Sequence, residues 1–166
     1  MGILERIGVR KVINACGPDT KFGGSVLSSE IVEAMAEVAQ SFVDMNELHE
    51  KAGRMIAGLI GAEASYITSG ASAGLVLATA ACITGTDLAK MSRLPDTEGM
   101  KNEVVIQRLH ITPFAQSFRM AGAKLVEVGD ALETRPLEIE DAVNDKTAAV
   151  AYVFWPNLRR TVSLDE

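Results

Sequence analysis

The sequence is poor in the residues that build metal centres and disulfide frameworks, with 2 cysteines and 2 histidines among 166 residues. Cys16 and Cys82 stand far apart without a CxxC spacing, and His49 and His110 are equally scattered, so no zinc-ligand pattern forms and no metal is expected. Reduced thiols in a cytoplasmic protein suit this usage better than the cross-links of a secreted one. Basic charge is also short: 16 Lys and Arg face 22 Asp and Glu, a formal net charge of -6. Such a surface repels a phosphate backbone, so no nucleic acid partner is expected. Long apolar runs are missing as well. Residues 1–10 hold no signal-like apolar stretch, and the run from Gly74 to Ile83 is too short to cross a bilayer, so no membrane role is expected.

What is present suits one α/β unit, since a 48% hydrophobic content is enough to close a core at this length. After an irregular arm over 1–27, Ile31, Met35, Val38 and Phe42 recur at helical spacing from Ser28 or Ser29, which predicts a helix with one buried face. A second helix is expected from about Asn46, stopped by Gly61. Ala64 to Thr68 reads as a short strand, followed by the turn Ser69-Gly70-Ala71-Ser72 and an Ala/Leu-rich helix ending near Gly85. Beyond a polar loop from Ser92 to Asn102, strands are expected at Glu103–Gln107, Lys124–Val128 and Thr147–Phe154. Helices are expected after Thr112-Pro113 and from Leu137 to Val143. Strands that alternate with helices argue for a mostly parallel sheet with flanking helices, because parallel strands need crossovers long enough to hold a helix. Ser163 and Glu166 have the spacing of a capping box, so either a further helix begins there or the stretch is a frayed polar tail.

The sharpest local feature is Thr68 to Gly74, a row of small residues between a predicted strand and a predicted helix. Small side chains let main-chain N–H groups approach a ligand, and a helix start attracts phosphate. The same residues also serve a plain packing turn. Neither the P-loop pattern nor GxGxxG is present. His110 follows a strand, on the side where ligands of open α/β sheets gather; it could stack on a flat cofactor, move a proton or simply hold structure by hydrogen bonding. Gly70-Ala71-Ser72-Ala73-Gly74 matches the bare GxSxG pattern, so a serine hydrolase with Ser72 as nucleophile, His110 as base and Asp87 or Asp96 as acid is an alternative.

Several segments in order resemble the selenocysteine-synthase-like group of fold-type I pyridoxal-phosphate (PLP) enzymes, which includes the D-glucosaminate-6-phosphate ammonia-lyases. They are Val12 to Gly17, Gly23-Gly24-Ser25, Phe42 to Met45, Ile60 to Ala64, Thr68 to Gly74, Leu94 to Thr97, Val104 to Gln107 and Ala121 to Gly129. The resemblance implies a partial PLP-binding large domain over 28–166, truncated at its C-terminal side. It assigns the cofactor phosphate to Ser69, Gly70, Ala71 and Ser72, and places the ring of His110 near the pyridine. Leu109, Ile111 and Gln116 depart from the group's pattern. Asn157 to Arg160 resemble the loop before the next helix. The acid that pairs with the pyridine nitrogen and the Schiff-base lysine are expected beyond Glu166, which leaves catalytic residues unassigned in this chain. By the same resemblance the protein is a homo-oligomer and a lyase or transferase acting on a small amino acid or amino-sugar phosphate. A non-catalytic oligomerising or phosphate-binding remnant is the competing expectation.

Overall fold

The computed structural model describes residues 2–154 and 160–165. The chain divides into two compact units, Met1–Lys51 and Ala52–Glu166. The first holds α1 (Ile3–Arg6), a 3-10 turn at Thr20–Phe22 and α2 (Ser29–Val38). Its loops are shaped by short polar side chains bonding their own backbone. Asn14 Nδ2 donates to the Gly17 carbonyl at 2.7 Å while its Oδ1 accepts from the Cys16 amide at 2.8 Å. The periodic face of α2 lies open: Ile31, Met35 and Val38 are all exposed, and the expected burial is not met within this unit. A stripe states that a helix needs a partner, and it cannot supply one.

The helix α3 (Met45–Ile60) begins one residue before the expected position, with Asp44 Oδ1 accepting from the Asn46 and Glu47 amides. Gly61 ends it with φ at 69°, as its sequence position predicts.

The second unit continues with α4 (Ala71–Thr84), α5 (Leu88–Arg93), β1 (Glu103–Gln107), α6 (Gln116–Met120), β2 (Lys124–Val128), α7 (Pro136–Ala142) and β3 (Thr147–Ala151). The sheet order is β2-β1-β3, and both pairings are parallel. The α/β class with flanking helices is therefore as expected. β1 is the central strand, and Val104, Val105 and Ile106 are each no more than 1% exposed. Around Ile83, Val104 and Ala123 pack Leu94, Met100, Phe118 and Leu125, so α4, α6 and the strands share one core. Thr97 Oγ1 donates to the Gly122 carbonyl and accepts from Asn102 Nδ2, closing the loop after α5 onto the turn before β2.

Two local expectations are corrected and one element is new. Residues 64–68 form no strand; among the described residues no neighbouring strand gives them a ladder, and the Ser65 carbonyl instead lies close against α3 at Gly53, where a Cβ would collide with it. β3 stops at Ala151 and does not reach Phe154, because the Val153 amide turns to the His110 side chain. α5 was not anticipated; Asp87 caps it by accepting from the Ala89 and Lys90 amides, a signal already present in the sequence.

Candidate functional site

The turn before α4 is built from its smallest residues. Gly70 takes φ 152° and ψ 172°, a conformation that a side-chain-bearing residue rarely adopts. Space is not the constraint, because a Cβ there would meet nothing within 4 Å. Thr68 Oγ1 donates to the Gly70 carbonyl at 2.9 Å, and the same carbonyl accepts the first helical bond from the Gly74 amide at 3.0 Å. No side chain caps α4, and its first turn carries no acidic residue. The Ala71, Ser72 and Ala73 amides are thus left without acceptors among the described residues, at the positive end of a 14-residue helix. Ser69, Gly70, Ala71 and Ser72 are all exposed. Ala73 is half-buried, and a helix start whose amides carry no protein acceptor favours an anion.

His110 closes a 3-10 turn, Arg108–His110, at the carboxyl end of β1. Its side chain is 1% exposed. Nδ1 accepts from the Val153 amide at 3.4 Å, and the ring meets Tyr152 edge to face with centroids 4.7 Å apart. Nε2 is buried without a partner among the described residues. Burial holds the imidazole below its ordinary value of 6.5, because a charged ring would lose its hydration there. His110 is therefore neutral near pH 7. Its partners lie after β3, and none of Ser69 to Ser72 is among them.

Sequence reasoning missed Gln107. This last residue of β1 is 3% exposed, and its amide clasps one peptide unit: Nε2 donates to the Val162 carbonyl at 2.9 Å and Oε1 accepts from the Val162 amide at 2.8 Å. A lone polar residue ending an apolar strand was the available signal. Tyr152 and Val162 were missed too, since nothing local marks residues whose role is to be held by another segment. A cleft of about 270 Å³ is bordered by Gln107, Tyr152, Val162 and Ile139 of α7.

The hydrolase alternative is not assembled. Ser72 lies in the first turn of α4, after a segment that forms no strand. His110 Nδ1 is engaged by a main-chain amide, and among the described residues no carboxylate orients the ring. Asp87 caps α5, and the Asp96 carboxyl, held below the usual range chiefly by the Glu98 amide and then by Arg93, bonds within its own loop. A triad needs all three groups in one chain of hydrogen bonds.

The lysines fall elsewhere. Lys101, Lys124 and Lys146 border a cleft of about 420 Å³ at the amino ends of the strands, opposite the end that carries His110. Lys51 pairs with Glu47, and Lys90 lies near Asp87. Among the described residues no group of three His, Cys, Asp or Glu could hold a metal ion, and no helix is long and apolar enough to cross a membrane. Asn157 to Arg159, and Glu166 of the expected capping box, lie outside the described residues.

No family model matches the chain. It is 43% identical over 155 residues to the D-glucosaminate-6-phosphate ammonia lyase of Salmonella typhimurium, covering 91% of this chain and 42% of that protein. With the L-seryl-tRNA(Sec) selenium transferase of Desulfotalea psychrophila it shares 28% identity over 169 residues, or 91% of this chain and 33% of the relative. A solved structure of D-glucosaminate-6-phosphate ammonia-lyase superposes with a TM-score of 0.94 at 40% identity, covering 99% of this chain and 46% of that one. The architecture is thus the parallel α/β sheet of that structure. The chain resembles the selenocysteine-synthase-like group, ammonia-lyases included, and spans less than half the length of these relatives.

Proposed function

We propose that this chain forms the phosphate-gripping part of a PLP-dependent lyase or transferase acting on a small amino acid or amino-sugar phosphate. The observation that carries the proposal is the set of unclaimed amides at Ala71, Ser72 and Ala73, behind a glycine whose conformation opens the turn. They would hold the cofactor phosphate, with the Ser69 and Ser72 hydroxyls as further donors. The resemblance to an ammonia lyase named for a phosphorylated amino-sugar acid supports the substrate class. Bound PLP supplies an electron sink that stabilises negative charge on the carbon beside the substrate amine.

Within this chain the protein's own work is grip and placement. The helix start fixes one end of the cofactor, and exposed small residues let the phosphate approach the main chain directly. His110 stays neutral because of its burial, so it brings a dipole to the carboxyl end of the sheet and no charge. A homo-oligomer is part of the proposal, since the group resembled builds its sites between subunits.

Equilibrium dialysis of the whole chain against PLP and against pyridoxal, which lacks the phosphate, tests this reading. PLP should bind at least tenfold more tightly, equivalent to about 1.4 kcal/mol, and Gly70→Val should remove that advantage. Equal affinity for the two compounds would refute it.

A further inference from the structure

We infer that His110 meets the bound small molecule as a fixed hydrogen-bond donor, offering Nε2–H to an anionic oxygen, and not as a ring stacked on its face. The inference rests on the proposed cofactor site and assigns one residue a role within it.

The tautomer comes first. The Val153 amide is directed at Nδ1, so Nδ1 must present its lone pair. A neutral imidazole then carries its proton on Nε2. That nitrogen is buried and has no partner among the described residues. Buried donors are nearly always satisfied, and one left over marks a place for a water or a ligand. The position favours a ligand, because His110 stands just beyond the carboxyl end of the central strand of a parallel sheet, where open α/β sheets bind their small molecules.

Stacking needs an open ring face. A ring that is 1% exposed and stands at 88° to Tyr152 does not offer one. Tyr152, only partly buried, meets the imidazole and also borders the 270 Å³ cleft beside Gln107, so a small molecule in that cleft lies one side chain away from His110. A neutral N–H suits a phosphate, carboxylate or phenolate oxygen, each of which gains a charge-assisted hydrogen bond.

The test uses the whole chain labelled with 15N-histidine. At pH 7.5 the His110 spectrum should show a protonated Nε2 and an unprotonated Nδ1; the reverse tautomer overturns the inference. With PLP added and binding followed separately by dialysis, the Nε2 proton should move downfield and exchange with water at least tenfold more slowly. The same change with inorganic phosphate alone identifies the acceptor as phosphate, and a change with PLP only identifies a ring oxygen. Both outcomes support the donor role. PLP that binds without moving the Nε2 signal overturns it and leaves the phosphate turn standing, whereas PLP that does not bind sinks both.

Affinity gives a second readout. His110→Phe keeps an aromatic face and loses the donor, while His110→Gln keeps an N–H and loses the ring. A donor role predicts about tenfold weaker PLP binding for the first, with most of it retained by the second. Stacking predicts the opposite order.

Discussion

The two units of this chain use similar apolar residues and obtain different results from them. In Met1–Lys51 no described residue is buried, and Ile13, Val26 and Phe42 are as exposed as in an extended chain. In Ala52–Glu166 the strand β1 is sealed by β2 and β3 on its edges and by helices of the same unit on its faces. Hydrophobic character is alike; the number of neighbours that the topology supplies is not. Periodicity marks a face for burial, and only a second element removes it from water.

That comparison can be broken or sharpened by experiment, beginning with the largest effect. Ile106→Ala should destabilise the second unit by about 2–5 kcal/mol in denaturant unfolding, the usual range for emptying a filled core site, since Ile106 is 1% exposed. Gln107→Leu should cost about 1–3 kcal/mol for each Val162 main-chain group left without a partner, and should speed hydrogen exchange at the Val162 amide. Protection that survives this change would show that another contact holds residue 162.

The next effect is a pH dependence. Because burial lowers the folded-state value of His110 below 6.5, the unfolded chain takes up the proton first. Stability should be complete above pH 6.5 and should decline as pH falls through the folded value, by at most about 1.4 kcal/mol per unit from one group. His110→Phe should flatten that part of the pH profile of stability. The smallest effect belongs to the first unit: Phe42→Ala should change stability by no more than about 0.5 kcal/mol. A loss above 1 kcal/mol would mean that Phe42 is covered in solution and that the two units are less unlike than they look.

Much of the second unit was legible in advance. Glu103–Gln107 and Lys124–Val128 are strands with the expected bounds, because β-branched residues in short runs have few other uses. Gly61 and Gly122 stop their helices with positive φ, which the residue type announces. Residues 64–68 misled for a physical reason. Tyr66 and Ile67 have strand-forming side chains, but a strand exists only when another backbone completes its ladder. β3 was overestimated by three residues because a histidine 43 positions away captures the Val153 amide. At the site, the small-residue turn could be read directly, whereas the Gln107 clasp and the contact of His110 with Tyr152 join residues remote in sequence.

By itself the sequence determined the alternation of strands and helices, the parallel class of the sheet and the position of a glycine turn able to expose main-chain amides. These follow from periodicity and from the conformations each residue type tolerates, which are properties of short stretches. The tertiary structure alone decided which apolar faces are covered, that 64–68 remain outside the sheet, and that His110 is buried with one nitrogen engaged and the other without a partner among the described residues. Burial and hydrogen-bond pairing depend on which distant segments meet, and no local pattern contains that information.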